Sequence, residues 1–168
     1  MSVMTDRRYV VVFVSQRNSL RSVLAEACLA HIGSERFAAY SCGKPELLAK
    51  DVHSAALGAL VSAGIPLPRQ PRRSWVELTR LGAPRADFVI TLDAGTMTDQ
   101  PIWPGQPDSA LWPFPDVAKL EEREKAAHAA IHTLYALRRR LELLISLPLH
   151  HADRAAIRSD LRDMAHHQ

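Results

Sequence analysis

Residues Ser15, Gln16, Arg17, Asn18, Ser19, Leu20, Arg21 and Ser22 run consecutively and bring together three hydroxyls, two side-chain amides and two guanidinium groups. Such a set suits the binding of a tetrahedral oxyanion, provided the backbone N–H groups between them point the same way. The flanking sequence supplies the means. Residues 10–14, Val-Val-Val-Phe-Val, form a continuous apolar, largely β-branched run, which suits a strand buried on both faces of a parallel sheet. From Leu20 the pattern becomes helical, with Leu24, Cys28, Leu29 and Ile32 on one face. A short loop between such a strand and such a helix leaves backbone donors unpaired at the helix start, where the helix dipole favours negative charge. Arg21, opening the helix, adds a two-pronged donor to that cradle.

The rest of the chain reads as alternating strands and helices. Residues 36–41 predict a short second strand, closed by the turn residues Gly43 and Pro45. A second helix is expected over 51–63, with Val52, Ala55, Ala56, Ala59 and Leu60 inward and Gly64 as its C-terminal cap. Three prolines keep 65–74 extended, and Ser74 caps a short helix through Trp75, Leu78 and Leu81. Residues 86–92 predict a third strand. Five prolines and two glycines make 93–117 a long functional loop enclosing one short strand near 110–112. A long helix follows from 119 to 147, with Ala127, Ile131, Leu134, Leu137, Leu141, Leu144 and Ile145 inward, and Pro148 ends it. Residues 150–168 predict one more helix with Ile157, Leu161 and Met164 in register. The fold class is α/β: a single-domain four-stranded parallel sheet flanked by helices, with 1–148 as the domain and 149–168 as a C-terminal helical extension.

A chain of 168 residues with 47% hydrophobic residues is long enough for one core. The net charge of +3, spread over mixed signs, is too small to argue for a nucleic-acid partner. No apolar run has the length of a membrane span, and residues 1–8 lead into a strand rather than a signal-peptide core, so the expected location is cytoplasmic. Two cysteines make no disulfide framework. No cofactor motif is present. His150, His151, His166 and His167 resemble a metal cluster by count alone and read as a solvated tail, so no metal is expected.

The spacing from Ser15 to Arg21-Ser22, with Asn18-Ser19 inside, resembles the Cys-x5-Arg-Ser loop of the low-molecular-weight protein tyrosine phosphatases and of the arsenate reductases that share their fold. Tyr40-Ser-Cys-Gly43, Arg73-Ser-Trp75, Asp87-Phe-Val-Ile-Thr91, the segment 101–107 and Trp112-Pro-Phe-Pro-Asp116 follow in the order and spacing of the arsenate reductase branch. The likeness spans roughly residues 9–148. It implies the same four-stranded fold and places the family's general acid at Asp116 and its nucleophile at residue 15. There the family has cysteine; this chain has Ser15. The low-pKa thiolate that attacks phosphorus or arsenic is therefore missing, and a serine hydroxyl stays protonated unless a base lies beside it. No histidine here falls in a triad motif. Arsenate reduction also needs further thiols, and no cysteine follows Cys42.

The expectation is a catalytically inactive relative that binds phosphate, arsenate or a similar oxyanion, or a phosphoprotein partner, with a homodimer left open. The alternatives are an active phosphatase or glutathione-linked arsenate reductase whose cysteine was changed to serine, and a non-catalytic module associating through Ile157, Leu161 and Met164. Gln16 and Arg17 stand near a position the family gives to glycine. Either the backbone there is strained, the Arg17 side chain leaves the pocket, or Arg17 adds a second guanidinium to its mouth. Asp116 also suits a helix cap. Cys28 reads as a small buried apolar residue, while Cys42 is a candidate stand-in thiol. Arg69, Arg72, Arg73, Arg80 and Arg85 read as a solvated face, and Trp103 and Trp112 as loop packing.

Overall fold

A computed structural model of the chain describes residues 7–69, 72–148 and 154–165. Four strands, β1 (Tyr9–Val14), β2 (Phe37–Cys42), β3 (Phe88–Thr91) and β4 (Asp108–Leu111), form one parallel sheet in the order β2-β1-β3-β4. The helices are α1 (Arg21–Ile32), α2 (Ser54–Ala63), α3 (Arg123–Ile145) and α4 (Arg154–Met164). Among the described residues, no helix is long and apolar enough to cross a membrane.

The alternation of β1 shows how one strand serves two layers. Val11 and Phe13 face a large core with α1, α2, α3 and α4, while Val12 and Val14 face a smaller one with Cys42, Trp75, Leu78, Val89 and Trp103. Both faces are covered, as the unbroken apolar run requires. Register then fixes the position of the site. Val14 pairs with Cys42 and with Thr91, and Thr91 pairs with Leu111, so all four strands end in one row. Because β2 and β3 flank β1, the chain turns to opposite sides at this edge, the place where open α/β sheets build ligand sites.

Several boundaries differ from those read in the sequence. The helix predicted from 51 starts at Ser54 because His53 is its cap: the ring Nδ1 accepts from Ala55 N at 3.0 Å, while His53 N donates to Ser19 O at 2.8 Å. The turn after Ser74 ends at Leu78, and Leu81 is fully exposed. The long helix begins at Arg123, after a separate turn over Val117–Lys119, and its buried alanines are Ala126 and Ala130 rather than Ala127.

Helix α4 is not an adhesive stripe. Leu161 and Met164 lie in the chain's own large core, and Trp112 Nε1 donates to Leu161 O at 2.9 Å. The Ile157 side chain, the stretch 149–153, the histidines at 150, 151, 166 and 167, and the residues before Arg7 lie outside the described residues.

Candidate active site

The loop after β1 is held from outside by its acceptors. The carbonyls of Gln16, Arg17 and Ser19 accept from Lys44 N at 2.9 Å, Ala49 N at 3.0 Å and His53 N at 2.8 Å. Anchoring a loop through its C=O groups leaves the opposite side of the chain to its donors, as an anion cradle requires. Only Asn18 takes a left-handed backbone among residues 15–22, at φ 51°, a conformation asparagine tolerates better than most side chains. Gln16 and Arg17 are therefore not strained. Arg17 is exposed and lines the rim of the concavity formed by Ser15, Arg17, Asn18, Ser19, Leu20, Arg21 and Asp116. The structure thus brings every predicted loop residue except Gln16 and Ser22 to one small hollow, together with Asp116 from about a hundred residues away.

Behind the hollow lies a buried polar chain that fixes the loop. Asn18 Nδ2 donates to Ser22 Oγ at 2.7 Å and to Ser41 Oγ at 2.9 Å, and Asn18 Oδ1 accepts from Arg73 N at 2.7 Å. Ser41 Oγ donates in turn to Glu26 Oε1 at 2.5 Å. Ser15 Oγ and Ser22 Oγ are 2.6 Å apart. Since Ser22 already accepts from Asn18, it can give its own proton to Ser15, which leaves the Ser15 O–H for a ligand oxygen. Ser22 lies behind the hollow as a support.

Glu26 and Arg73 anchor the far end of this chain, with Arg73 Nη2 3.9 Å from Glu26 Oε2 and its guanidinium 5.5 Å from the centre of the Tyr40 ring. Burial pushes the Glu26 carboxyl up to about 7, opposed by the Ser41 hydrogen bond and the Arg73 charge. Gly43 closes the packing. A Cβ there would lie 3.0 Å from Asn18 Cβ, Asn18 N and Gln16 O.

Arg21 is nearly buried and heavily engaged. Its Nη1 donates to Phe114 O at 3.1 Å, and its Nη2 lies 3.2 Å from Asp93 Oδ2 and 3.7 Å from Asp116 Oδ2. Asp93 also accepts from Gln16 N at 2.9 Å and from Thr96 N at 3.1 Å. It therefore ties the loop's first amide to its guanidinium, which places Gln16 in the frame of the site. Asp116 combines both roles read from the sequence: Oδ1 accepts from Ala118 N at 3.2 Å, capping the following turn, while Oδ2 faces Arg21.

Other expectations are corrected. Cys42 is no stand-in thiol: it is fully buried in the smaller core, and burial pushes its thiol far up. Cys28 is likewise buried, its thiol pushed up to about 11. Arg73 is a buried part of the support rather than a solvated side chain, and Arg72 Nη1 donates to Ala49 O at 2.6 Å. Trp103 and Trp112 are buried as loop packing.

The reading of the sequence missed the supporting roles of Glu26, Ser41, Gly43, Arg73 and Asp93, although Ser41, Gly43 and Arg73 lie in segments that carry the family resemblance. A carboxylate set in the apolar run Ala25-Glu26-Ala27-Cys28 was a signal for the first. For Asp93 it was its place just past a buried strand at the sheet's C-terminal edge. No group of three or more metal-ligating side chains occurs among the described residues.

Comparison with known proteins gives consistent results. A family model described as low molecular weight phosphotyrosine protein phosphatase matches residues 10–105, more than half of the chain. Among solved structures, an arsenate reductase in the phosphate binding state is 27% identical with a TM-score of 0.63, covering 82% of this chain and 97% of its own. An arsenate reductase in the oxidized state is 26% identical with a TM-score of 0.64, covering 82% and 96%. Wzb from Vibrio vulnificus, in complex with benzylphosphonate, shares the fold at 14% identity and a TM-score of 0.64, covering 83% and 98%. No curated protein sequence matches.

Proposed function

The chain belongs to the low molecular weight phosphotyrosine protein phosphatase family, and from that membership we propose that it holds a tetrahedral oxyanion in the 15–22 loop without turning it over. The anion is phosphate, arsenate or a phosphoryl group carried by a partner protein. The loop's free backbone N–H groups, opposite its anchored carbonyls, the Arg21 guanidinium and the Ser15 hydroxyl supply the donors. The likeness to an arsenate reductase in a phosphate binding state supports the same ligand chemistry.

The observation that carries the reading is the environment of Ser15. Among the described residues its hydroxyl has one hydrogen-bond partner, the neutral Ser22 Oγ at 2.6 Å. Neither group is a base at neutral pH, so the Ser15 oxygen keeps its proton and is a poor nucleophile. Asp116 stands where a leaving group could be protonated but has no attack to assist. The test is hydrolysis of p-nitrophenyl phosphate by the wild type and by Ser15→Cys. The wild type should be silent and the cysteine variant should gain turnover, because Arg21, Ser22 and Asp116 are in place. Turnover by the wild type at the rate of the variant would refute inactivity.

A further inference from the structure

We infer that this loop selects oxyanions that bring a proton, accepting phosphate and arsenate while rejecting sulfate and selenate. The inference rests on the oxyanion reading above and concerns which anions pass. Two carboxylates from different parts of the chain converge on one guanidinium. Asp93, just past β3, places Oδ2 3.2 Å from Arg21 Nη2, and Asp116, before the turn that follows β4, places Oδ2 at 3.7 Å. The side chains are only 5%, 12% and 15% exposed respectively for Arg21, Asp93 and Asp116, so water screens them little.

The other charged groups do not reverse this balance. Arg17 is exposed at the rim, and Glu26 and Arg73 offset each other behind Asn18. Lys44 is tied to Asp99 at 2.7 Å. On α3, His132 lines a hollow on the other side of Asp116. Ser15, where the family has a thiolate, is a neutral donor. Asp93 takes up the Gln16 N–H at 2.9 Å, removing one amide from the ligand's reach.

An arriving anion therefore meets Asp116, a wall of the hollow, as an acceptor facing its own oxygens. A fully deprotonated anion leaves lone pair against lone pair and adds charge to a pair of carboxylates sharing one cation. An anion carrying an O–H turns that contact into a charge-assisted hydrogen bond. Near neutral pH phosphate and arsenate carry such a proton; sulfate and selenate do not.

The test is calorimetric titration of the full chain at neutral pH with two size-matched pairs, phosphate against sulfate and arsenate against selenate. The protonated member of each pair should bind at least about tenfold more tightly. In Asp116→Asn, whose amide can donate, the gap should narrow to about threefold or less. Sulfate binding within about threefold of phosphate in the wild type overturns the inference while leaving the oxyanion loop intact. An unchanged gap in a folded Asp116→Asn protein also overturns it. If that variant does not fold, the four-anion comparison on the wild type decides alone. Failure of all four anions to bind overturns the oxyanion reading itself, and the selectivity with it.

Discussion

Replacing Asn18 tests how the loop is held. Its side chain makes three hydrogen bonds with buried partners, to Ser22 Oγ, Ser41 Oγ and Arg73 N, each between 2.7 and 2.9 Å. Each bond contributes about 0.5–1.5 kcal/mol net, so their joint loss in Asn18→Ala costs about 2–4 kcal/mol. Alanine at a φ of 51° adds about 1–2 kcal/mol of backbone cost, which Asn18→Gly avoids. Glycine returns part of that saving through its freer unfolded chain, by about 0.5–1 kcal/mol. In urea unfolding the order should be wild type, then Asn18→Gly, then Asn18→Ala, with the alanine variant about 3–6 kcal/mol below wild type. An alanine variant within about 1 kcal/mol of wild type would refute the idea that this residue organises the loop.

Gly43→Ala should be destabilised by about 1–3 kcal/mol, because the backbone of Gln16 and Asn18 cannot yield to a new Cβ; a thermal melt reads it, and phosphate binding should weaken in parallel. Glu26, raised from 4.5 to about 7 in the fold, keeps a proton that the unfolded chain releases between those values, so wild-type stability should fall as pH rises through this window. The fall should be about 3 kcal/mol and absent in Glu26→Gln, compared by urea unfolding at several pH values. Leu161→Ala should cost about 2–4 kcal/mol, since the side chain is fully buried within the chain, and should leave the sedimentation coefficient unchanged.

Much of the architecture was legible because its causes are local. The run 10–14 is apolar at every position, so it had to be covered on both faces, and the structure covers it with two cores. Gly64 marked the end of α2 and does take the left-handed cap there, at φ 69°. The start of α2 was misplaced because it depends on a bond from His53 to Ser19, a partner the local pattern does not reveal. The loop residues could be read as a group, since they are contiguous. Their supports could not. Ser41 and Asp93 reach the loop through the parallel register that ends β1, β2 and β3 in one row, and Arg73 through the bridge between Gly43 and Ser74 beyond it, pairings that no single segment reveals. Helix α4 read as an amphipathic surface helix because its apolar stripe is the same whether it packs on a second chain or on its own. Only the bond from Trp112 and the burial of Leu161 decide between these.

The most direct measurement is calorimetric titration of phosphate and arsenate into the wild type and into Arg21→Ala, with circular dichroism to show that both are folded. Arg21 contributes the one buried guanidinium lining the hollow, so the wild type should bind and the variant should lose binding by about tenfold or more. Absence of binding in the folded wild type, or equal binding in the two proteins, would contradict the oxyanion cradle.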